Sequence, residues 1–97
     1  MTREENLIKV IKDSENRIIL LKDECIILQD YIRDKYKINI NIKHKPFNQK
    51  YGYTITGSYQ SGESGVLKSY DFKTFDDYYL ALEDGLIEVI KNELKYD

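Results

Sequence analysis

Apolar side chains recur along residues 2–35 at alternating spacings of four and three, the heptad pattern with which one helix lies against another. We therefore expect one long helix that begins with a capping box between Thr2 and Glu5. The polar turn at 13–16 could instead separate two helices, because its Asp, Ser and Asn side chains compete for backbone hydrogen bonds. The positions of this heptad seam are Leu7, Ile11, Ser14, Ile18, Leu21, Cys25, Leu28 and Ile32.

From Ile18 to Ile32 the apolar residues cover three sides of the predicted helix, whereas a surface helix needs a single apolar stripe. One side can pack on the chain's own sheet, and we expect another to pack on a second copy of the chain. The seam thus predicts a coiled-coil-like interface of a homodimer or higher oligomer. Its predicted interface residues are Leu7, Ile11, Ile18, Leu21, Cys25, Leu28 and Ile32.

Alternating apolar and polar residues after the helix predict three strands. The first covers 36–43 and ends before a loop that contains Pro46, since proline interrupts a strand. The second covers 51–59, and a glycine-containing hairpin loop at 60–65 leads into the third at 66–73. Consecutive strands joined by short loops favour an antiparallel sheet.

The last 24 residues show the 3.6-residue periodicity of an amphipathic helix. Thr74 is a suitable N-cap, and we expect the helix to cover 74–96. Gly85 lies in its middle, where glycine costs roughly 1 kcal/mol relative to alanine, so we expect a close helix–strand or helix–helix approach there. The predicted fold class is α+β, with the order α-β-β-β-α, a three-stranded antiparallel sheet and both helices on one face of it. The 97 residues allow a single domain.

The formal net charge is −2, which gives no overall attraction to nucleic acid or to an anionic membrane. The charges are nevertheless unevenly distributed, because residues 36–50 carry four lysines and no acid, while residues 74–97 carry two lysines and seven acids. The loop after the first strand is therefore the predicted contact for an anionic partner. Its candidate residues are Lys43, His44, Lys45 and Lys50.

The sequence does not predict catalysis. His44 is the sole histidine and lies in a solvated loop, and Cys25 is the sole cysteine, interpreted as a small buried apolar residue. Cysteine and histidine spacings do not fit a zinc site, and the glycines do not form a phosphate-binding loop before a helix. We expect a non-enzyme without cofactor or metal. A signal-peptide pattern and a membrane-spanning apolar run are not found, so we expect a cytoplasmic protein of a bacterial host cell that does not contact the membrane.

Nine tyrosines are many for a chain of this length. They could form a half-buried layer between sheet and helix with their hydroxyls at the rim. They could also form a binding surface, because tyrosine gives large contact area at small entropic cost. The sequence leaves both interpretations open.

The sequence resembles two groups of known proteins, and each resemblance implies something about its function or source. The element order, with His44, Lys45 and Pro46 in the loop between the first two strands, resembles the double-stranded RNA-binding domain. That family places a lysine cluster at the start of its last helix, where this chain has Asp76 and Asp77, so RNA binding in that mode is not expected. The segment from Tyr51 onward, with its Thr74–Glu88 unit, resembles small phage- and prophage-encoded proteins of gut bacteria. The abundance of Ile, Lys, Asn and Tyr, which have AT-rich codons, points to the same source.

The predicted function is that of a small non-enzymatic interaction protein from a phage or mobile element. It would self-associate through the N-terminal helix and bind a host or phage macromolecule, with a protein as the expected partner. One alternative is a nucleic-acid-associated protein that uses the basic loop 43–50. Another is a protein that sequesters a small ligand at a dimer interface.

Overall fold

A computed structural model describes residues 2–15, 18–58, 64–69 and 74–93. Two helices precede an antiparallel sheet, and a further helix follows it. The elements are α1 (Arg3–Asp13), α2 (Lys22–Tyr36), β1 (Asn39–Lys45), β2 (Lys50–Ser58), β3 (Ser64–Ser69), α3 (Tyr78–Glu88) and a π-helical turn (Val89–Glu93).

The predicted continuous helix over 2–35 is wrong, because the chain leaves the helical conformation at Ser14 (φ −78°, ψ 134°). Helix α2 begins at Lys22, where the Glu24 carboxylate accepts a hydrogen bond from the Leu21 N–H at 2.9 Å. At the end of α1, the Lys91 ammonium donates to the Ser14 carbonyl at 2.9 Å. The polar turn therefore separates two helices, as its competing side chains allowed.

The ends of the two helices explain where they begin and stop. The Glu5 N–H donates to the Thr2 hydroxyl oxygen at 3.2 Å, which confirms the predicted cap of α1. Helix α2 runs on to Tyr36, so this residue belongs to the helix and not to the first strand. Lys37 ends α2 in the left-handed conformation (φ 58°), and its N–H donates to the Arg33 carbonyl.

The antiparallel sheet confirms the predicted α+β class. Strands β1 and β2 pair with Ile40 opposite Ile55 and Ile42 opposite Tyr53. The backbone of β3 is aligned antiparallel to β2, giving the order β1-β2-β3. The rest of the predicted third strand, with Tyr70 and Phe72, lies outside the described residues, as do Tyr59 and the hairpin loop at 60–63.

The last helix begins later than predicted, and Thr74 does not cap it. Phe75 instead forms a β-bridge with Tyr51, each backbone N–H donating to the other's carbonyl at 2.8 and 2.9 Å. This bridge keeps the chain extended, so α3 begins at Tyr78 after Asp77. The last four residues of the chain, including the end of the predicted helix, lie outside the described residues.

Helices α2 and α3 pack on the face of the sheet that carries Ile40 and Tyr53, while Asn39, Asn41 and Lys43 of the opposite face are exposed. The predicted close approach at Gly85 is confirmed, since a Cβ there would lie 2.7 Å from Ile40 Cγ2. The buried core of the described residues consists of Ile8, Ile11, Leu20, Cys25, Leu28, Ile32, Ile38, Ile40, Tyr53, Ile55, Ala81, Leu82, Leu86, Val89 and Ile90.

Candidate functional site

The predicted oligomer interface does not form one surface. Four of its residues are at most 1% exposed and belong to the chain's own core, so a second copy could not reach them without rearrangement of the fold: Ile11, Cys25, Leu28 and Ile32. Leu7 and Ile18 are half-buried against the same core, and Leu21 is 66% exposed. The break after Ser14 is the physical reason, because it lets α1 and α2 cover one core from separate directions.

Cys25 has the structural role that its place in the seam suggested. Burial, reinforced by the negative charges of Glu83 and Glu24, raises the pKa of its thiol from 9.0 to about 11. A thiol with such a pKa stays protonated at neutral pH and is a poor nucleophile. The side chain therefore contributes packing in place of reactivity.

All four predicted anionic-partner residues lie on the β1–β2 hairpin, residues 43–50, which we call the basic hairpin, with His44 on the opposite face of the strand from Lys43 and Lys45. Lys43 and His44 are exposed, and Lys45 and Lys50 are half-buried. Lys45 pairs with Lys50 in the strand register. The Lys50 ammonium makes an ion pair with the Asp76 carboxylate, so part of the positive charge is already neutralised.

Phe47 lies at the turn of the basic hairpin, and its side chain is fully exposed. The turn around it is well bonded. The Gln49 amide donates to the Pro46 carbonyl at 3.1 Å, and the Asn48 side chain accepts from the Lys50 N–H at 3.1 Å. Sequence reasoning treated residues 44–50 as a basic loop and overlooked its aromatic residue, although an apolar ring between lysines in a polar loop was a usable signal.

The tyrosines divide between the two interpretations. Tyr53 is fully buried, and its hydroxyl donates to Asp84 at 2.6 Å, as expected of a layer between sheet and helix. Tyr51, Tyr78 and Tyr79 form, with His44, an aromatic strip that continues from the basic hairpin onto α3. Its ring centroids are 4.9 Å apart for His44 and Tyr51, 6.2 Å for Tyr51 and Tyr78, and 5.2 Å for Tyr78 and Tyr79.

A groove of about 380 Å³ lies between α1 and the C-terminal half of α2. Ile8, which is buried, forms part of its apolar lining, and Tyr31 and Tyr36 supply aromatic surface. Its charged lining consists of Lys9, Lys12, Lys35, Glu5 and Asp13. Sequence reasoning missed this groove because it exists only when α1 folds back against α2.

Lys35 contacts both tyrosines of the groove. Its ammonium lies 5.4 Å from the ring centroid of Tyr31 and 5.6 Å from that of Tyr36, and it donates to the Tyr31 hydroxyl at 3.0 Å. The hydrogen bond to Tyr31 raises the pKa of the Lys35 ammonium, so the group stays charged over the physiological range. The two rings meet edge to face with centroids 6.5 Å apart.

The described residues contain neither a metal-ion cluster nor a membrane-spanning helix. In the described ranges, His, Cys, Asp and Glu side chains do not gather in a group that could hold a metal ion. The helices there are also too short or too polar to cross a bilayer. Comparison of the chain with family models, with curated proteins and with solved structures gave no match.

Proposed function

We propose that this chain is a non-enzymatic interaction protein that docks on an acidic patch of a partner protein through the basic hairpin. The observation that carries the proposal is the full exposure of Phe47 at the hairpin's turn. A phenyl ring in water lacks the roughly 1.5–3 kcal/mol that its burial would supply. Aromatic anchors that fill a pocket contribute most of the binding energy at many protein interfaces.

The charge around Phe47 indicates what the partner must present. The basic hairpin, residues 43–50, contains three lysines and no acid. Lys43 is exposed beside His44, so the hairpin offers positive charge around one apolar ring. The complementary surface is an apolar pocket with an acidic rim, since matched rim charges accelerate association and select among partners.

The test uses the tagged full-length chain in its native cells, with the co-purifying proteins quantified by mass spectrometry. We expect at least one protein to be retained by the unmodified chain and lost with Phe47→Ser. Val10→Ser is the matched control, because Val10 is also an exposed apolar residue (57%) but lies on α1. Equal retention by all three chains would contradict the proposal.

A second pair of variants tests the charge. Lys43→Glu should reduce retention of the same protein, whereas Arg3→Glu, an equal charge change at an exposed site on α1, should not. Retention should also fall as the salt concentration rises. At 0.1 M salt, exposed charges more than about 10 Å apart are largely screened from one another, and this distance shortens as salt is added. Equal losses for both variants would show that net charge, and not the hairpin, is responsible.

Nucleic-acid binding is the second candidate, favoured by the lysines of the basic hairpin. Against it, Lys50 is paired with Asp76, and Asp77 beside it is exposed, so two carboxylates face any approaching phosphate. Binding to duplex RNA and duplex DNA at two salt concentrations tests this candidate. Affinity that does not weaken with salt would exclude phosphate contacts as its source.

We propose that the chain self-associates through a smaller surface than the heptad seam. Ile19 (81%), Leu21 (66%) and Ile26 (45%) are exposed apolar side chains in or near the segment between α1 and α2. Light scattering at high micromolar concentration tests this proposal. A clean monomer would contradict it, and an oligomer that Leu21→Glu dissociates would support it.

The proposed phage or mobile-element source rests on composition and resemblance alone.

A further inference from the structure

The groove between α1 and α2 is independent of the basic hairpin and lies within a single chain. Its volume of about 380 Å³ falls within the range of small-molecule sites, ~300–1,000 Å³. Its lining combines three apolar or aromatic residues, Ile8, Tyr31 and Tyr36, with five charged ones, so polar groups can orient a ligand on an apolar wall. The size suits a molecule of one or two fused rings.

The aromatic wall of the groove favours a flat ligand. Tyr31 and Tyr36 meet edge to face, with an angle of 70° between their ring planes, so the corner between them can hold a third ring. Aromatic rings gain roughly 0.5–1.5 kcal/mol from such stacked or edge-to-face contacts beyond the burial of their area. Ile8 adds aliphatic surface.

The charges favour an anionic group on that ligand. Lys9, Lys12 and Lys35 line the groove against Glu5 and Asp13, an excess of one positive charge. Lys35 is held over both tyrosine rings by its hydrogen bond to the Tyr31 hydroxyl. This ammonium lies beside both rings, where it can form a charge-assisted hydrogen bond with the carboxylate of a ligand that packs on them.

We propose that the α1–α2 groove binds a small flat aromatic acid, with the rings against Tyr31 and Tyr36 and the carboxylate at Lys35. A cationic ligand would meet the net positive charge of the groove. A neutral alcohol of the same shape could accept a hydrogen bond from the Lys35 ammonium but would lack the charge that strengthens the bond to a carboxylate. The ligand's charge is therefore the property to vary.

The test compares three probes of nearly equal shape by calorimetry on the full-length chain: 2-naphthoate, 2-naphthylmethanol and 2-naphthylmethylammonium. We expect 2-naphthoate to bind about tenfold more tightly than either other probe, in keeping with one charge-assisted hydrogen bond. Equal affinities for the three probes, or no binding of 2-naphthoate at millimolar concentration, would overturn the proposal.

Variants locate the binding. Lys35→Gln should remove most of the preference for the anion, and Tyr31→Leu should weaken all three probes. Lys22→Gln is the matched control, since the Lys22 ammonium also lies over a tyrosine ring, 5.0 Å from the Tyr79 centroid, but outside the groove. An equal loss with Lys22→Gln, or none with Lys35→Gln, would place the binding elsewhere. Circular dichroism confirms that each variant is folded.

Discussion

A carboxylate oxygen of Glu83 accepts a hydrogen bond at 3.1 Å from the backbone N–H of Leu20, a residue 63 positions away. Glu83 lies in α3, and Leu20 lies in the non-helical stretch 18–21 just before α2. Both are buried, with 4% and 8% of their surface exposed. The bond thus fixes the break between the first two helices against the last helix, and gives a buried amide the partner that a helix would otherwise provide.

Replacing Glu83 should therefore destabilise the whole fold. We expect Glu83→Ala to lower the free energy of unfolding by about 1–3 kcal/mol, because it leaves the buried Leu20 amide unsatisfied. Glu83→Gln keeps an acceptor and should cost less. Urea unfolding followed by circular dichroism measures both. Glu15→Gln, at an exposed carboxylate next to the break, is the control and should change little. A Glu83→Ala protein as stable as the control would contradict this role.

The Glu83 contact also shows why part of the fold could not be derived from the sequence. The heptad pattern does not distinguish one helix from two, since apolar positions on either side of the break, such as Ile11 and Cys25, are buried in the observed fold and would also suit a continuous seam. The helix break depends instead on two tertiary contacts. The Glu83 carboxylate in α3 accepts from the Leu20 N–H, and the Lys91 ammonium donates to the Ser14 carbonyl. Neither contact leaves a local signature, because each joins residues more than 60 positions apart.

Local signals were reliable where the decisive partner lay nearby. The strict alternation around Ile40 and Ile42 marked β1, and Thr2 capped α1 as expected. Thr74 carried an equally good capping signal, yet the bridge between Phe75 and Tyr51 prevailed over it. The basic hairpin was found from its charges. The α1–α2 groove was not, because it requires the tertiary contact between the two helices.

Gly85→Ala tests whether close packing around position 85 outweighs the higher helix propensity of alanine. Glycine-to-alanine changes inside exposed helices stabilise by roughly 1 kcal/mol. At Gly85 the added Cβ would meet Ile40 Cγ2 at 2.7 Å and Tyr53 Cδ2 at 3.3 Å. We expect Gly85→Ala to be destabilising, since overpacking a buried contact costs about 1–3 kcal/mol.

A double variant identifies the cause. Ile40→Leu removes the Cγ2 branch, so Gly85→Ala should cost less in that background than in the unmodified chain. Thermal or urea unfolding of the four proteins gives the coupling energy between the two sites. Additive effects would show that the Ile40 contact is not what keeps glycine at position 85.

The seam residues should separate into two groups by their effect on unfolding. Leu28 is fully buried, and Leu28→Ala should lower stability by about 2–5 kcal/mol through the cavity that it leaves. Leu21 is 66% exposed, so Leu21→Glu should leave the chain folded, with a circular dichroism spectrum nearly unchanged. If Leu21→Glu unfolds the chain, the apolar segment before α2 belongs to the core after all.

The buried Cys25 thiol should make the free energy of unfolding fall at alkaline pH. Burial raises the pKa of Cys25 from 9.0 to about 11 in the folded chain. Between these values the unfolded chain loses the thiol proton while the folded chain keeps it, so stability falls as pH rises. The contribution is fully present below pH 9 and disappears toward pH 11.

Cys25→Ala lacks this titration, and the tyrosines and lysines common to both proteins cancel in the comparison. The stability difference between the two chains in urea should therefore shrink from about pH 8 to about pH 10; a constant difference would show that the buried thiol does not resist ionisation.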